Sequence, residues 1–85
     1  MEIETQEIFQ DEIKTVVRKV IESLMEVKNI DNNKSFWELG LTSVMAVELI
    51  NFINQQFNTN LEVEVLFSYQ TINDITEYII DVTKK

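Results

Sequence analysis

The sequence predicts one small all-α domain spanning residues 1–85, and three observations support that fold class. The chain has 85 residues, of which 45% are hydrophobic, so it has enough apolar surface for one core. One glycine and no proline leave little material for the tight turns that join β-strands. Apolar residues recur at steps of three and four along most of the chain, as in helices that bury one face. We therefore expect four helices and no sheet.

The first helix is predicted over residues 7–27. Its apolar stripe comprises Phe9, Ile13, Val16, Val17, Val20, Leu24 and Val27. A polar stretch, residues 28–35, then opens a long loop that continues to about Thr42. Three large apolar residues interrupt this loop: Phe36, Trp37 and Leu39. Because large apolar side chains are rarely left in solvent, we expect these three to anchor the loop on the core.

The second helix is predicted to begin at or beside Ser43 and to end near Asn58. Its stripe comprises Ala46, Leu49, Ile50, Ile53 and Phe57. Residues 61–65 alternate with the period of a strand, but a lone strand would have no partner. We therefore expect an extended loop that enters a short third helix within residues 63–68.

The last helix is predicted after Thr71, whose spacing from Asp74 resembles a capping box. Its stripe comprises Ile72, Ile75, Ile79 and Val82. Lys84 and Lys85 would complement the negative end of its dipole. Since the chain begins with Met and ends just past this helix, we expect a discrete protein, although an excised domain would look similar.

The composition excludes several function classes. With no Cys and no His, the chain lacks the usual groups for disulfides, metal binding and proton transfer. Its net charge of −8, from 7 basic and 15 acidic residues, argues against nucleic acid as a partner. Residues 35–83 contain no Lys or Arg, so we expect partners with basic surfaces. The N-terminus has no leader pattern and no apolar run could span a bilayer, so we expect a cytoplasmic protein without a membrane partner. We also expect a monomer.

Ser43 is either a helix cap or a site of modification. Ser and Thr are favoured before helices for backbone hydrogen bonding alone, and Thr42 could serve the same purpose. Gly40 permits a tight approach of the chain, and a phosphate on Ser43 would lie at the positive end of the second helix. Nothing in the sequence indicates a base that would activate this serine, so we expect no enzyme activity from the chain itself.

Two motifs resemble those of a known family. Residues 36–49, FWELGLTSVMAVEL, are similar to the F-x-E-L-G-x-D-S-L/I/V-x-A-x-E-L attachment motif of acyl carrier proteins, particularly polyketide synthase carriers. Residues 66–72, LFSYQTI, resemble the family's L-F-x-Y-P-T-I. The resemblance implies a four-helix bundle whose serine, here Ser43, receives 4'-phosphopantetheine from coenzyme A through a phosphopantetheinyl transferase. It also implies acyl thioesters on the arm and partners such as an acyltransferase, a ketosynthase or other acyl-processing enzymes.

The sequence departs from the family pattern at several positions. Thr42 replaces the usual Asp, and Gln70 replaces the usual Pro, which we expect to loosen the start of the fourth helix. On the outside of the second helix, only Glu48 is acidic, and the other outer positions are amides: Asn51, Asn54, Gln55 and Gln56. We therefore expect partner recognition to depend less on charge. The predicted partner surface comprises Thr42, Val44, Met45, Val47, Glu48 and Asn51, although one or two of its apolar residues could instead face the core.

The sequence thus predicts an acyl carrier protein of a polyketide or mixed polyketide–peptide pathway. Two alternatives stay open. The cargo could be aminoacyl, peptidyl or fatty acyl, or the chain could be a non-covalent helical adaptor in which Ser43 is only a cap.

Overall fold

The computed structural model describes the backbone of residues 2–83 and the side chains of residues 10–83. It contains four helices, α1 (Glu2–Met25), α2 (Ser43–Phe57), α3 (Val65–Ser68) and α4 (Ile72–Thr83), and no strand occurs between residues 2 and 83. The helix α1 packs against both α2 and α4. This arrangement confirms the predicted four-helix bundle with one short helix and a long first loop.

One core joins all four helices and the first loop. Its apolar residues, each at most 6% exposed, are Ile13, Val17, Ile21, Ile30, Phe36, Leu41, Ala46, Leu49, Ile50, Ile53, Leu66, Ile72, Ile75 and Ile79. Phe36 is fully buried, and Trp37 and Leu39 pack against the core, as expected of loop anchors. The predicted roles of the Phe9 side chain and of Lys84 and Lys85 lie outside the described residues. Within residues 2–83, no helix is both long enough and apolar enough to cross a bilayer.

The helix α1 begins and ends earlier than the predicted range 7–27. Glu26 adopts a left-handed conformation with φ of 57°, which ends the helix. The backbone N–H of Val27 then donates to the carbonyl of Glu22 at 3.2 Å. Val27 is 38% exposed, so its assignment to the apolar stripe is wrong. Without a glycine at this point, the sequence carried no local signal for the helix end.

The first loop is tied to α1 and to the start of α4. The guanidinium of Arg18 donates to the carbonyl oxygen of Ile30 at 2.5 Å and to Oδ1 of Asn32. The backbone N–H of Asn73 donates to the carbonyl of Asn32 at 3.1 Å, and the Asn73 side chain donates to Oδ1 of Asn33 at 2.6 Å. These bonds satisfy polar groups that would otherwise lose water beside the core.

Gln70 strengthens the connection between the loop and α3. Its carbonyl accepts from the Phe36 backbone N–H at 2.7 Å, and its Oε1 accepts from the Ser35 hydroxyl at 3.2 Å. Its Nε2 donates to the carbonyl of Phe67 at 2.8 Å. The side chain of Gln70 thus adds two hydrogen bonds, one to the first loop and one to α3, while the expected loosening of the start of α4 stays a prediction.

The segment around α3 contains no strand, as predicted. The helix itself begins at Val65, two residues later than the predicted Val63. The helix α4 begins after Thr71, whose Oγ1 accepts from the backbone N–H of Asp74 at 3.0 Å. This bond satisfies one of the free amides of the first turn and confirms the predicted start of the helix.

Candidate cofactor attachment site

The start of α2 is capped by Thr42. This residue is extended, with φ of −97° and ψ of 168°, and its Oγ1 accepts from the backbone N–H of Met45 at 3.2 Å. Its carbonyl accepts from the backbone N–H of Ala46 at 2.8 Å. Both are features of an N-cap residue. The capping role that the sequence left open between two hydroxyl residues thus falls to Thr42.

Ser43 is the first residue of α2 and is exposed. Its hydroxyl is not engaged by any group of residues 10–83. The first amides of a helix have no partner inside the helix, and their dipoles make this end positive. A phosphate ester on Ser43 would lie beside these amides, an arrangement that contributes about 0.3–1 kcal/mol at exposed positions. An exposed, unengaged hydroxyl at the positive end of a helix fits a phosphopantetheine arm.

A closed turn holds the chain in place just before Ser43. The backbone N–H of Leu41 donates to the carbonyl of Phe36 at 3.0 Å, and that of Gly40 donates to the carbonyl of Trp37 at 3.2 Å. Gly40 has φ of 105°, which side-chain-bearing residues rarely adopt. A Cβ there would lie 3.9 Å from Cε of Met25, an ordinary contact, so conformation explains this glycine better than tight approach.

The residues after Ser43 form an exposed stripe along α2. Val44, Val47, Glu48 and Asn51 are spaced as neighbours on one helix face, and all four are exposed. We call these four residues the outer stripe. Val44 is 69% exposed and Val47 is 48% exposed, which is unusual for valine. Met45 instead is half-buried and packs against the core. The structure therefore brings four of the predicted partner residues together beside the serine and cap, and turns Met45 inward.

Asn54 does not belong to the exposed surface. Its Nδ2 donates to the carbonyl of Leu61 at 3.0 Å, and its Oδ1 accepts from the Leu61 backbone N–H at 2.8 Å. The same oxygen accepts from the hydroxyl of Thr59 at 2.8 Å. The prediction that Asn54 is an outer position of α2 is wrong, because its amide holds the following loop.

Trp37 and Phe67 form an aromatic pair at the surface that the sequence did not predict. The rings of Trp37 and Phe67 stack with centroids 5.0 Å apart and planes 7° apart. The Trp37 indole N–H donates to the carbonyl of Leu66 at 3.0 Å. Phe67 is 60% exposed. No sequence spacing signals this pair, since its members come from the first loop and from α3.

A surface cavity of about 730 Å³ lies away from the serine. Its lining includes Phe57 at the end of α2, Leu61 in the second loop, and Tyr78 and Val82 in α4. Ser43 lies at the opposite end of α2, about 21 Å along the helix axis. The cavity is therefore not part of the candidate attachment site.

Comparison with sequence families and curated proteins points to one kind of domain. A family model described as a phosphopantetheine attachment site matches residues 11–79. The polyketide synthase PksL of Bacillus subtilis (strain 168) is 31% identical over 75 residues, which cover 88% of this chain. Gramicidin S synthase 2 of Brevibacillus brevis is 29% identical over 69 residues, or 81% of this chain. The chain spans about 2% of the length of either synthase.

Solved structures show the same fold. A free-standing peptidyl carrier protein from an Acinetobacter baumannii secondary metabolic pathway matches with a TM-score of 0.82 and 25% identity, covering 86% of this chain and 94% of its own. The HMG-ACPI domain of CurA from Lyngbya majuscula matches with a TM-score of 0.79 and 30% identity, covering 87% of this chain and 77% of its own.

A third solved structure is similar to this chain in fold only. A peptidyl carrier protein in complex with the phosphopantetheine transferase Sfp and coenzyme A has a TM-score of 0.77 at 19% identity, covering 81% of this chain and 90% of its own. With the family match, these likenesses lead to the conclusion that the chain belongs to the phosphopantetheine-binding carriers, a family defined by its phosphopantetheine attachment site.

Proposed function

We propose that residues 1–85 are one acyl carrier domain and that Ser43 is its attachment residue. The observation that carries this proposal is the exposed Ser43 hydroxyl at the start of α2, which Thr42 frees from the capping role. The chain itself acts as substrate and carrier, while a phosphopantetheinyl transferase performs the chemistry. Because its cofactor comes from coenzyme A, we place the protein in the cytoplasm.

The proposed modification is a single group transfer. The Ser43 oxygen forms a bond to the phosphorus nearest the pantetheine of coenzyme A, and the pyrophosphate P–O bond breaks. Adenosine 3',5'-bisphosphate leaves, and the hydroxyl proton passes to a base of the transferase, since the chain has no His or Cys to accept it. The resulting diester keeps one negative charge beside the free amides of α2, where the helix dipole stabilises it.

The attached arm supplies a terminal thiol that holds cargo as a thioester. A long flexible tether gives that cargo a high effective concentration at each partner without a permanent complex. The outer stripe supports this role, because Val44 and Val47 offer apolar contacts and Glu48 is its only charged member. We propose an acyltransferase, a ketosynthase or other acyl-processing enzymes as the partners that contact this stripe, with the protein acting as a monomer.

The cargo is proposed to be an acyl intermediate of a polyketide or mixed polyketide–peptide pathway. Similarity to PksL and to the HMG-ACPI domain favours an acyl cargo. Similarity to gramicidin S synthase 2 and to a peptidyl carrier favours an aminoacyl or peptidyl cargo instead. Loading assays distinguish the two: malonyl transfer by an acyltransferase supports the first, and aminoacyl transfer by an adenylating enzyme supports the second.

Intact-protein mass spectrometry tests the attachment proposal. After incubation with coenzyme A and Sfp, we expect one phosphopantetheine adduct on the wild-type protein and none on the Ser43→Ala variant. The Ser68→Ala variant, which removes an exposed serine on α3, is the matched control and should load fully. Failure of the wild-type protein to load with several transferases would contradict the proposal and favour a non-covalent adaptor.

A further inference from the structure

Two cavities adjoin at the end of the bundle opposite Ser43, and Phe57 lines both of them. The first, of about 730 Å³, is bounded by the end of α2, the second loop and α4. The second, of about 510 Å³, is bounded by the end of α2 and by α1. We call the two cavities together the distal groove. The apolar residues that line it are all half-buried: Val16, Phe57, Leu61, Val65, Tyr78 and Val82. A concave, partly apolar surface that stays open to solvent is typical of an interaction site.

The second loop, residues 58–64, forms a well-held wall of the distal groove. The side-chain amide of Asn54 makes three hydrogen bonds to this loop, one to Thr59 and two to Leu61. Asn58 adopts a left-handed conformation with φ of 55°, and its backbone N–H donates to the carbonyl of Asn54. Because this wall is already ordered, a partner that fills the groove loses little free energy to ordering the loop. The groove is therefore preformed.

The rim of the distal groove is acidic. Glu62 and Glu64 line the first cavity, and both are exposed. Asp11 and Glu12 line the second cavity and are exposed as well. Among residues 10–83, no Lys or Arg lines either cavity. A negative rim around an apolar floor attracts a basic partner and repels nucleic acid and anionic lipid surfaces. The complementary partner is therefore a protein segment in which large apolar side chains stand beside Lys or Arg.

We propose that the distal groove docks a basic segment of a larger protein, which holds the carrier while leaving Ser43 uncovered. Apolar side chains of the segment fill the cavities on the two sides of Phe57, and its basic residues pair with the acidic rim. Ser43 lies about 21 Å away along α2, so a segment confined to the groove does not block the candidate attachment site. The segment tethers the carrier and does not act on its cargo. This inference goes beyond the proposed function, because docking at the groove does not require Ser43 to be loaded.

NMR titration of the 15N-labelled protein with a synthetic peptide tests the docking. The probe is the peptide Lys-Leu-Phe-Lys-Lys-Leu-Phe-Lys, which supplies both apolar and basic side chains. We expect it to shift the amide signals of residues 57–65 and 78–83 and to leave those of residues 42–45 unchanged. No shifts at the groove, or the largest shifts at residues 42–45, would overturn the proposal.

Two control peptides separate the contributions of charge and apolar contact. A peptide with Glu in place of Lys should cause no shifts, because the rim repels it. A peptide with Ala in place of Leu and Phe keeps the charge, and we expect it to bind at least about fivefold more weakly because it cannot fill the cavities. If either control bound as well as the probe, the docking proposal would be wrong.

A charge-reversal variant shows whether the rim itself binds the probe. The double variant Glu62→Lys/Glu64→Lys changes two exposed side chains and should raise the Kd for the probe about five- to tenfold, a difference that added salt reduces. The matched control, Glu26→Lys/Glu38→Lys, makes the same change in net charge near the Ser43 end and should keep the wild-type Kd within about twofold. Equal weakening in both would overturn the proposal, because net charge alone would then explain binding. Thermal unfolding checks that both variants stay folded.

Sedimentation velocity without peptide tests a second copy of the chain as the occupant. We expect a monomer. Self-association that is lost in Glu62→Lys/Glu64→Lys would assign the groove to a second copy and overturn the tether. Loading of Ser43 is measured separately by intact mass, so failure of the docking proposal leaves the attachment proposal intact.

Discussion

The first loop and the outer stripe of α2 use their side chains in opposite ways. In the loop, Phe36 and Leu41 are buried, and the polar groups of Asn32 and Ser35 are hydrogen-bonded to other parts of the chain. In the outer stripe, two valines stand largely in solvent, and Asn51 makes no side-chain hydrogen bond within the described residues. The side chains of the loop therefore stabilise the fold, whereas the exposed valines of the outer stripe contribute little burial to it.

This contrast explains how a small domain can hold the proposed modification site in a fixed position. Apolar burial stabilises a fold by roughly 25 cal/mol per Å² removed from water, so exposed valines contribute little to stability. The tied loop and the capped helix hold Ser43 at one end of α2 without using its hydroxyl. Stability and the proposed function thus depend on different, neighbouring residues. Substitutions should therefore be able to change one without changing the other.

The largest expected difference in stability is between a substitution at a buried residue of the first loop and a substitution in the outer stripe. Phe36→Ala should lower the free energy of unfolding by about 3–5 kcal/mol, because it removes a fully buried ring and leaves a cavity. Val44→Ala should change it by less than about 0.5 kcal/mol, because Val44 is mostly exposed. Urea denaturation measures both values. Comparable losses from the two substitutions would show that the stripe is part of the core.

Two asparagines of α2 give a more closely matched comparison. Asn54→Ala removes three hydrogen bonds to residues 59–61 and leaves the Leu61 amide without its partner, so it should cost about 1–3 kcal/mol. Asn51→Ala, one turn earlier, should change stability by less than about 0.5 kcal/mol. The same denaturation experiment applies. If the order were reversed, Asn51 rather than Asn54 would be the residue that holds the second loop.

The smallest expected difference in stability is between variants of the two adjacent hydroxyl residues at the start of α2. Thr42→Ala should lower stability by about 1 kcal/mol through loss of the helix cap, while Ser43 still accepts the cofactor arm. Ser43→Ala should leave stability within about 0.5 kcal/mol of wild type and abolish loading. Thermal unfolding and intact mass together measure the pair. A larger stability loss from Ser43→Ala than from Thr42→Ala would contradict the assignment of the cap.

The parts of the fold that depend on local chemistry could be predicted from the sequence. The starts of α2 and α4 follow from hydroxyl residues that satisfy the first free amides of a helix, and Thr42 and Thr71 do so. The core stripes follow from helical periodicity. The end of α1 escaped prediction because Glu26, rather than glycine, adopts the left-handed conformation there.

The parts that depend on distant partners could not be predicted. The roles of Asn54 and Gln70 require knowing where the backbone of other segments lies, and neither residue type fixes that position. The contact between Trp37 and Phe67 likewise joins two segments that only the folded chain brings together. At the proposed attachment site, the sequence indicated which residues to consider, and the hydrogen bond of Thr42 distinguished the capping hydroxyl from that of Ser43.

The most direct test is to locate the cofactor on the loaded protein. Proteolysis followed by tandem mass spectrometry of the peptide containing both Thr42 and Ser43 assigns the phosphopantetheine to one hydroxyl. We predict that the fragments place it entirely on Ser43, because the Thr42 hydroxyl caps α2 and the Ser43 hydroxyl makes no hydrogen bond within residues 10–83. An adduct on Thr42, or on a hydroxyl elsewhere in the chain, would contradict the account.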